Sequence, residues 1–491
     1  MAYKHRVDVT ERPTSVLPPV SVSAGIPFIV GTAPVNMADA ANVNKPVLCY
    51  SYAEAVAAFG YVPAKQDGAV KKFEYSISEF INSQFALFGC APVIIVNVLD
   101  PATHKTAATT TAVTLNAATG AATIAETGIL PDTVELSNAG TPYVKGTDYE
   151  LSFDADGGLV ITSLVDGSGN FKCATGTELK IGAQKVDPSA VDEDDIIGGV
   201  DGNGKASGLE LVGECFPRFR LVPGLILAPG YSHNPGVAAV MAAKAANINN
   251  LFSAIALVDA PTDTVTQYSG VPEWKNTNNI ADPLQVVCWP KCSLDGVVYH
   301  MSTQLAGVIC KTDSENDDVP YHSPSNHNYQ MTAAVLDDGA EVWLSPDTAE
   351  YLNGQGVVTA LNFIGGWKCW GNRTACYPAN TDVKDAFIVG RRMFSWVGNT
   401  IIQTYWPKLD APLKLRHVES IVDSANIWMN GLTAKEYILG GRVEFLETEN
   451  DTASLMDGIA TFNVSFAYAS PNRNINFTLE YDASYIATLF G

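Results

Sequence analysis

The stretch "GGWKCWGNRTACYP", Gly365 to Pro378, holds two tryptophans, two cysteines, an arginine and a tyrosine. Thiols beside a cation suit a metal site, a disulfide or a nucleophilic centre, so this stretch and every similar cluster need testing against the chemistry they suggest. "GVDGNGKA" has the G-x-x-x-x-G-K spacing of a phosphate loop at Gly199, Gly204 and Lys205. The hydroxyl that should follow is replaced by Ala206, with Ser207 one residue late. "DEDDII" stands where a buried strand belongs, and Asp201 lies inside the loop, so carboxylates would repel a phosphate there. "DADGG" lacks the third oxygen ligand of a calcium loop, and "DSENDD" (Asp313 to Asp318) lacks its glycine and distal glutamate. His322 and His327 sit in a polar loop, and no H-x-x-x-H spacing occurs. "CWPKC", Cys288 to Cys292, has no second ligand pair. Ser232 adjoins His233 without a G-x-S-x-G elbow. These readings predict a non-enzyme with no cofactor and no metal.

The chain has 491 residues, more than one hydrophobic core usually serves, so several domains are expected. It is 47% hydrophobic and 17% charged, and 30 basic against 52 acidic residues give a net charge of −22. Such a chain should repel nucleic acid and anionic membranes. The longest apolar window, "FALFGCAPVIIVNVL", is broken by Gly89 and Pro92 and is too short for a bilayer. The N-terminus has no apolar stretch of the kind a secretory signal carries. A soluble protein made in the cytosol is expected, with no membrane insertion. Nine cysteines are scattered through the chain. Cys49, Cys90, Cys288 and Cys310 lie in apolar contexts and read as inert buried thiols. Cys173, Cys215, Cys292, Cys369 and Cys376 lie in or near turns and are the candidates for disulfides, including cross-links between chains once outside a reducing cytosol.

The elements that would position these residues fall into distinct compositional regions. Residues 1–24 read as an extended arm, in which "HRVDVTE" alternates and Pro13, Pro18 and Pro19 prevent a helix. From "GIPFIVGTAP" the pattern is α/β: "KPVLCYSYAEAVAAFG" is a strand and a helix capped by Ser51 and ended by Gly60, and a second helix is expected from about Lys71 to Leu87. Residues 104–186 lack Trp and Met and repeat turn signals, the mark of a small β-sandwich or barrel. Strand–helix alternation then resumes through "RLVPGLILAP", "LFSAIALVDAP" and "LQVVCWP", predicting a mainly parallel sheet with helices on both faces. Toward the C-terminus a long helix is expected from Asp382 to about Trp406, a second from Pro412 to Asn430-Gly431, and a short third one boxed by Thr433 and Glu436. The strands "RVEFLETEN", "IATFNVSFAYA" and "INFTLEYD" follow. The fold class is therefore α/β (α+β overall) and multidomain: an arm at 1–24, an α/β core at 25–103 and 187–380, an inserted all-β domain at 104–186, and a helix-plus-strand C-terminal domain at 381–491.

The order of these features resembles the tail sheath proteins of contractile bacteriophages and related injection machines. The resemblance runs through the "HRVDVTE" arm, "GKASGLELV…PRFRLVPGLILAPG", "LNGQGVVTALNFIGGWKCWGNRT", "RRMFSWVGNTI" and "IVDSANIWMNGLTAKEYILGGRVEFLETEN". It covers nearly the whole chain except residues 104–186, where sheath proteins differ from one another.

The resemblance implies a structural subunit that stacks as six-membered rings around a tail tube and contracts to drive the tube through a host envelope. It implies self-association, a tail tube protein, and baseplate and tail terminator proteins as partners. It also implies a place in the virion tail after synthesis and assembly in the bacterial cytoplasm, with the inserted β domain facing outward. In the family, terminal arms add strands to sheets of neighbouring subunits. Here Arg6, Val7, Asp8, Val9 and Thr10 would pair at one end, and Ile475, Phe477, Leu479 and Tyr481 at the other. The C-terminal domain would face the tube, with Lys408, Lys414 and Arg416 as contacts, since they form a rare basic cluster in an acidic chain. Trp367, Trp370, Asn372 and Arg373 would then form a structural junction, and Cys369 and Cys376 beside them can pair locally, cross-link chains or stay as thiols. Two other readings stand beside this one: the sheath of a contractile bacteriocin, and an α/β enzyme with a β-sandwich accessory domain.

Overall fold

The computed structural model describes residues 23–38 and 40–490. The N-terminal pairing residues Arg6, Val7, Asp8, Val9 and Thr10 lie outside the described residues.

An eight-stranded sheet organises the α/β part. Its spatial order is Val47–Cys49, Val93–Asn97, Pro27–Gly31, Leu225–Leu227, Ile255–Asp259, Gln285–Cys288, Val357–Asn362 and Trp367–Trp370. The inner strands run parallel and the two edge strands antiparallel. Alternate residues face opposite layers: Ile29, Ile95, Leu227 and Leu257 pack with Met301, Leu305 and Ile309 on one side. Phe28, Val30, Ile94 and Ile226 pack with Val237 and Met241 on the other. Each such buried side chain contributes roughly 1.5–3 kcal/mol. Cover on both faces explains why these strands read as unbroken apolar runs.

Local signals set the helices. Ser51 accepts the Glu54 N–H at the start of Tyr52–Phe59, and Gly60, at φ 75°, ends it. Asn234 caps Pro235–Ala246 in the same manner. The helix expected from Lys71 starts later, at Ser76, and passes into a π-helical segment, Asn82–Phe88. Lys71 belongs instead to a hairpin of Lys65–Asp67 and Val70–Lys72, turned at Gly68-Ala69 with Gly68 at φ 60°.

Between Lys105–Ala107 and its antiparallel partner Gln184–Val186 the chain builds a four-stranded and a three-stranded antiparallel sheet. They close over Leu115, Ile124, Leu136, Tyr149, Leu159, Ile161, Leu179 and Ile181. Because the two flanking strands pair with each other, the excursion leaves and re-enters the α/β part at one place.

In the C-terminal region Asp382 caps a single turn, Val383–Ala386, and the main helix runs Ile388–Tyr405. The expected continuous helix breaks at Phe387 (φ −109°, ψ 135°), whose backbone bridges Arg373 while Ile388 N donates to Asn372 O. The next helix starts at Leu415, three residues after Pro412, and runs through Asn430-Gly431 to Ala434. The expected third helix is absent among the described residues: Thr433 Oγ1 donates to Met429 O inside the longer helix, and Glu436 takes φ 62°. Gly440–Glu444 and Asn463–Ala467 form a two-stranded antiparallel sheet. "INFTLEYD", expected as a strand, pairs with nothing among the described residues.

Candidate functional site

The groups best suited to chemistry on sequence grounds prove to hold the fold. Asp201 Oδ1 accepts the N–H groups of Asn203 and Lys205, so "GVDGNGKA" is a turn closed by its own carboxylate where a phosphate loop would leave its N–H groups free. It joins the short pair Gly199–Val200 and Ala206–Ser207. Ser232 Oγ accepts the Asp259 N–H, and the Asp259 carboxylate accepts the N–H and hydroxyl of Ser302. Beside it, Glu79 accepts from His300 N and meets His300 Nδ1 at 2.8 Å. Two carboxylates from other elements thus close the start of the Met301–Ser314 helix and neutralise its exposed N–H groups. Burial pushes the Asp259 carboxyl up. At Glu79 burial works in the same direction, but His300 and the donated hydrogen bonds outweigh it and hold the carboxyl down. His233, expected as no more than a neighbour of Ser232, is pulled down by burial. Among the described residues no group of three His, Cys, Asp or Glu side chains is placed to hold a metal.

"GGWKCWGNRTACYP" turns at Gly365 and Gly366, φ 80° and 89°, and returns as Trp367–Trp370 along Val357–Asn362. Trp367 Nε1 donates to Thr332 O, and Trp370 borders a cleft. Arg373 lies between the rings of Tyr377 and Phe387, 4.3 and 3.7 Å from their centroids. Lys275 Nζ reaches in from another helix to the carbonyls of Gln355, Ala375 and Tyr377. With Asn372 bonded to Ile388, the stretch spans the sheet edge and the C-terminal helices.

The cysteine expectation is corrected. Cys173, Cys215, Cys292, Cys369 and Cys376 are free thiols, and all are buried. Cys292 and Cys369 lie in strands and Cys215 opens a helix. Turn residues near them in sequence do not bring these side chains to the surface. Burial pushes the Cys369 thiol up to about 12 and Cys292 well above its ordinary value.

The unsatisfied groups lie on the surface of the C-terminal region. Ile475, Phe477, Leu479 and Tyr481 are 63, 84, 95 and 79% exposed, at a spacing of two along a segment with no assigned secondary structure. Lys414 and Arg416 are exposed and border a hollow of about 810 Å³ that runs along the Leu415–Ala434 helix to Asn430, and Lys408 is half-buried outside that lining. Trp406, Leu409, Leu413 and Leu415 are exposed in the same connection. Sequence reasoning had the charges here and missed the apolar side chains between them, whose "WPKLDAPLKL" pattern carries no helical period to mark a buried face.

No family model matches this chain. It is 27% identical over 509 residues to a tail sheath protein of Burkholderia phage BcepMu, covering 100% of this chain and 99% of that protein. It is 26% identical over 309 residues to a putative prophage major tail sheath protein of Pseudomonas aeruginosa strain UCBPP-PA14, covering 61% of this chain and 75% of that one. Its fold is similar to the sheath of an extracellular contractile injection system, PVC, in the contracted state: TM-score 0.58 at 12% identity, covering 99% of each chain. The helical sheath of the anti-feeding prophage in its contracted state gives TM-score 0.55 at 12% identity, covering 98% and 99%. Along its whole length the chain is thus similar in sequence to tail sheath proteins and similar in fold to the sheaths of contractile injection systems, and its polar clusters are spent on structure.

Proposed function

We propose that the chain assembles as stacked six-membered rings around a tail tube, and that its subunits repack on contraction to drive the tube through an envelope. The observation that carries this reading is the exposed Ile475–Tyr481 segment. Its apolar side chains alternate in the period of a strand, yet they face solvent and its backbone pairs with no strand among the described residues. Among the described residues the sheet of Gly440–Glu444 and Asn463–Ala467 has two strands, and such pairs are marginal without added strands. Strand addition by the arms of neighbouring copies satisfies both surfaces, with Arg6, Val7, Asp8, Val9 and Thr10 supplying the other arm. The arms then keep the lattice joined while the α/β parts rotate as rigid bodies. In this arrangement Lys408, Lys414 and Arg416 face the tube, the 104–186 region faces outward, and baseplate and terminator proteins close the two ends. Assembly takes place in the bacterial cytoplasm and the product belongs to the virion tail.

Negative-stain microscopy tests the proposal. The full chain is expected to form striated tubes, and a chain ending at Asn474 to stay monomeric with an unchanged melting temperature. Monomers from both, or tubes from both, would refute strand addition by the C-terminal arm.

A further inference from the structure

A cleft of about 770 Å³ separates the Trp370–Tyr377 loop, the loop holding His322 and His327, and residues 469–474, the root of the C-terminal arm. Arg373, Arg473, His322 and His327 line it together with Glu350 and Glu436. Arg373 is fixed by the rings of Tyr377 and Phe387, and its Nε is buried without a hydrogen-bond partner. Among the described residues no ion pair joins Arg373 or Arg473 to either glutamate. By contrast, the nearby Arg391 and Arg392 hold Asp385 and Asp313. Burial and the neighbouring Arg473 both work against the charge on Arg373. Two guanidinium groups thus share one cleft with no ion pair formed among the described residues, in a chain whose net charge is −22. A rigid guanidinium fork is matched by a carboxylate, which it can receive through two parallel hydrogen bonds. With 52 acidic residues, any second copy of this chain offers carboxylates.

We propose that the cleft is a carboxylate-binding site, filled on assembly by an Asp or Glu side chain of a second copy, with Arg373 as the fixed fork and Arg473 as the donor carried on the arm root. The inference rests on the self-assembly reading and adds to it a polar lock beside the strand exchange: occupation of the cleft and seating of the arm favour each other, because residues 469–474 line one and lead into the other.

Two measurements test it. On monomeric protein the probe is succinate, read by the ring signals of His322 and His327 in NMR. A saturable shift in wild type that is lost in Arg373→Gln is expected, with equal melting temperatures verifying that the variant folds. No shift in wild type, or the same shift in both, would overturn the site whatever assembly does. On assembled protein, tubes are grown from mixed ¹⁵N-labelled and unlabelled Arg373→Lys chains, which also covers the case in which Arg373→Gln fails to fold. Carbodiimide coupling and mass spectrometry are expected to find an amide from position 373 to an Asp or Glu of the differently labelled copy. Links only to Glu350 or Glu436 of the same chain, or none in well-formed tubes, would overturn the proposed occupant. Failure of the wild-type chain to form tubes would count against the sheath assembly alone, since the succinate response is read without it.

Discussion

Lys275 donates to the carbonyls of Gln355, Ala375 and Tyr377 at 2.6, 2.6 and 3.0 Å, from a position 2% exposed. Burial pulls its pKa down to about 8, while the three carbonyls supply the acceptors an ammonium needs. A buried acceptor left unpaired costs about 1–3 kcal/mol. Lys275→Met, similar in length and without donors, is therefore expected to destabilise the fold by roughly 3 kcal/mol, read as a lower denaturation midpoint; an unchanged midpoint would mean that the clamp is dispensable. Nothing in the sequence marks this lysine, because its partners lie 80 to 102 residues away. The same holds for Arg373. Its type and its run of neighbours stand out in the sequence, but the ring of Phe387 above it and the unpartnered Nε are products of packing.

Elements were legible where a local signal controls them. Ser51 and Gly60 bound their helix because capping acts within one turn, and the parallel strands were visible because double burial leaves only apolar residues in them. Elements misread were those whose ends depend on distant contacts, such as the break at Phe387, set by Asn372 and Arg373. The 104–186 region offers an element-scale prediction. Glu126 accepts the N–H groups of Thr109 and Thr110 and pairs with Lys185 at 3.1 Å, pinning the flanking strands. Burial works to raise its pKa, but these donors outweigh it and bring it from the ordinary 4.5 to about 2. Between these values the unfolded chain binds the extra proton, so the stability Glu126 supplies is complete above about pH 4.5 and lost as pH falls toward 2. The stability gap between wild type and Glu126→Gln should therefore close over that window in urea titrations at stepped pH. A gap that stays constant would rule this out.

At the scale of the whole molecule, the basic cluster at Lys408, Lys414 and Arg416 predicts an assembly phenotype rather than a folding one. Lys414 and Arg416 are exposed, so reversing both to Glu leaves the core untouched. Melting temperature should be unchanged, while co-assembly with a tail tube is lost and sheath-like tubes without a core still form. Normal tails from this double variant would exclude a tube contact at these residues.

The sequence by itself determined the class of the fold: an acidic α/β chain with β-rich and helical additions, motifs that miss the spacings of catalytic sites, and ordered blocks that resemble those of sheath proteins. Those properties are local, written in composition, period and run. Tertiary structure decided which surfaces remain for partners. It turned five candidate cysteines inward, spent Asp259, Glu79 and Asp201 on caps and turns, and left Ile475, Phe477, Leu479 and Tyr481 facing solvent. An apolar alternation reads the same in sequence whether its face is covered or bare. Only the packed chain shows that nothing among the described residues covers this one, because covering is a long-range relation between elements.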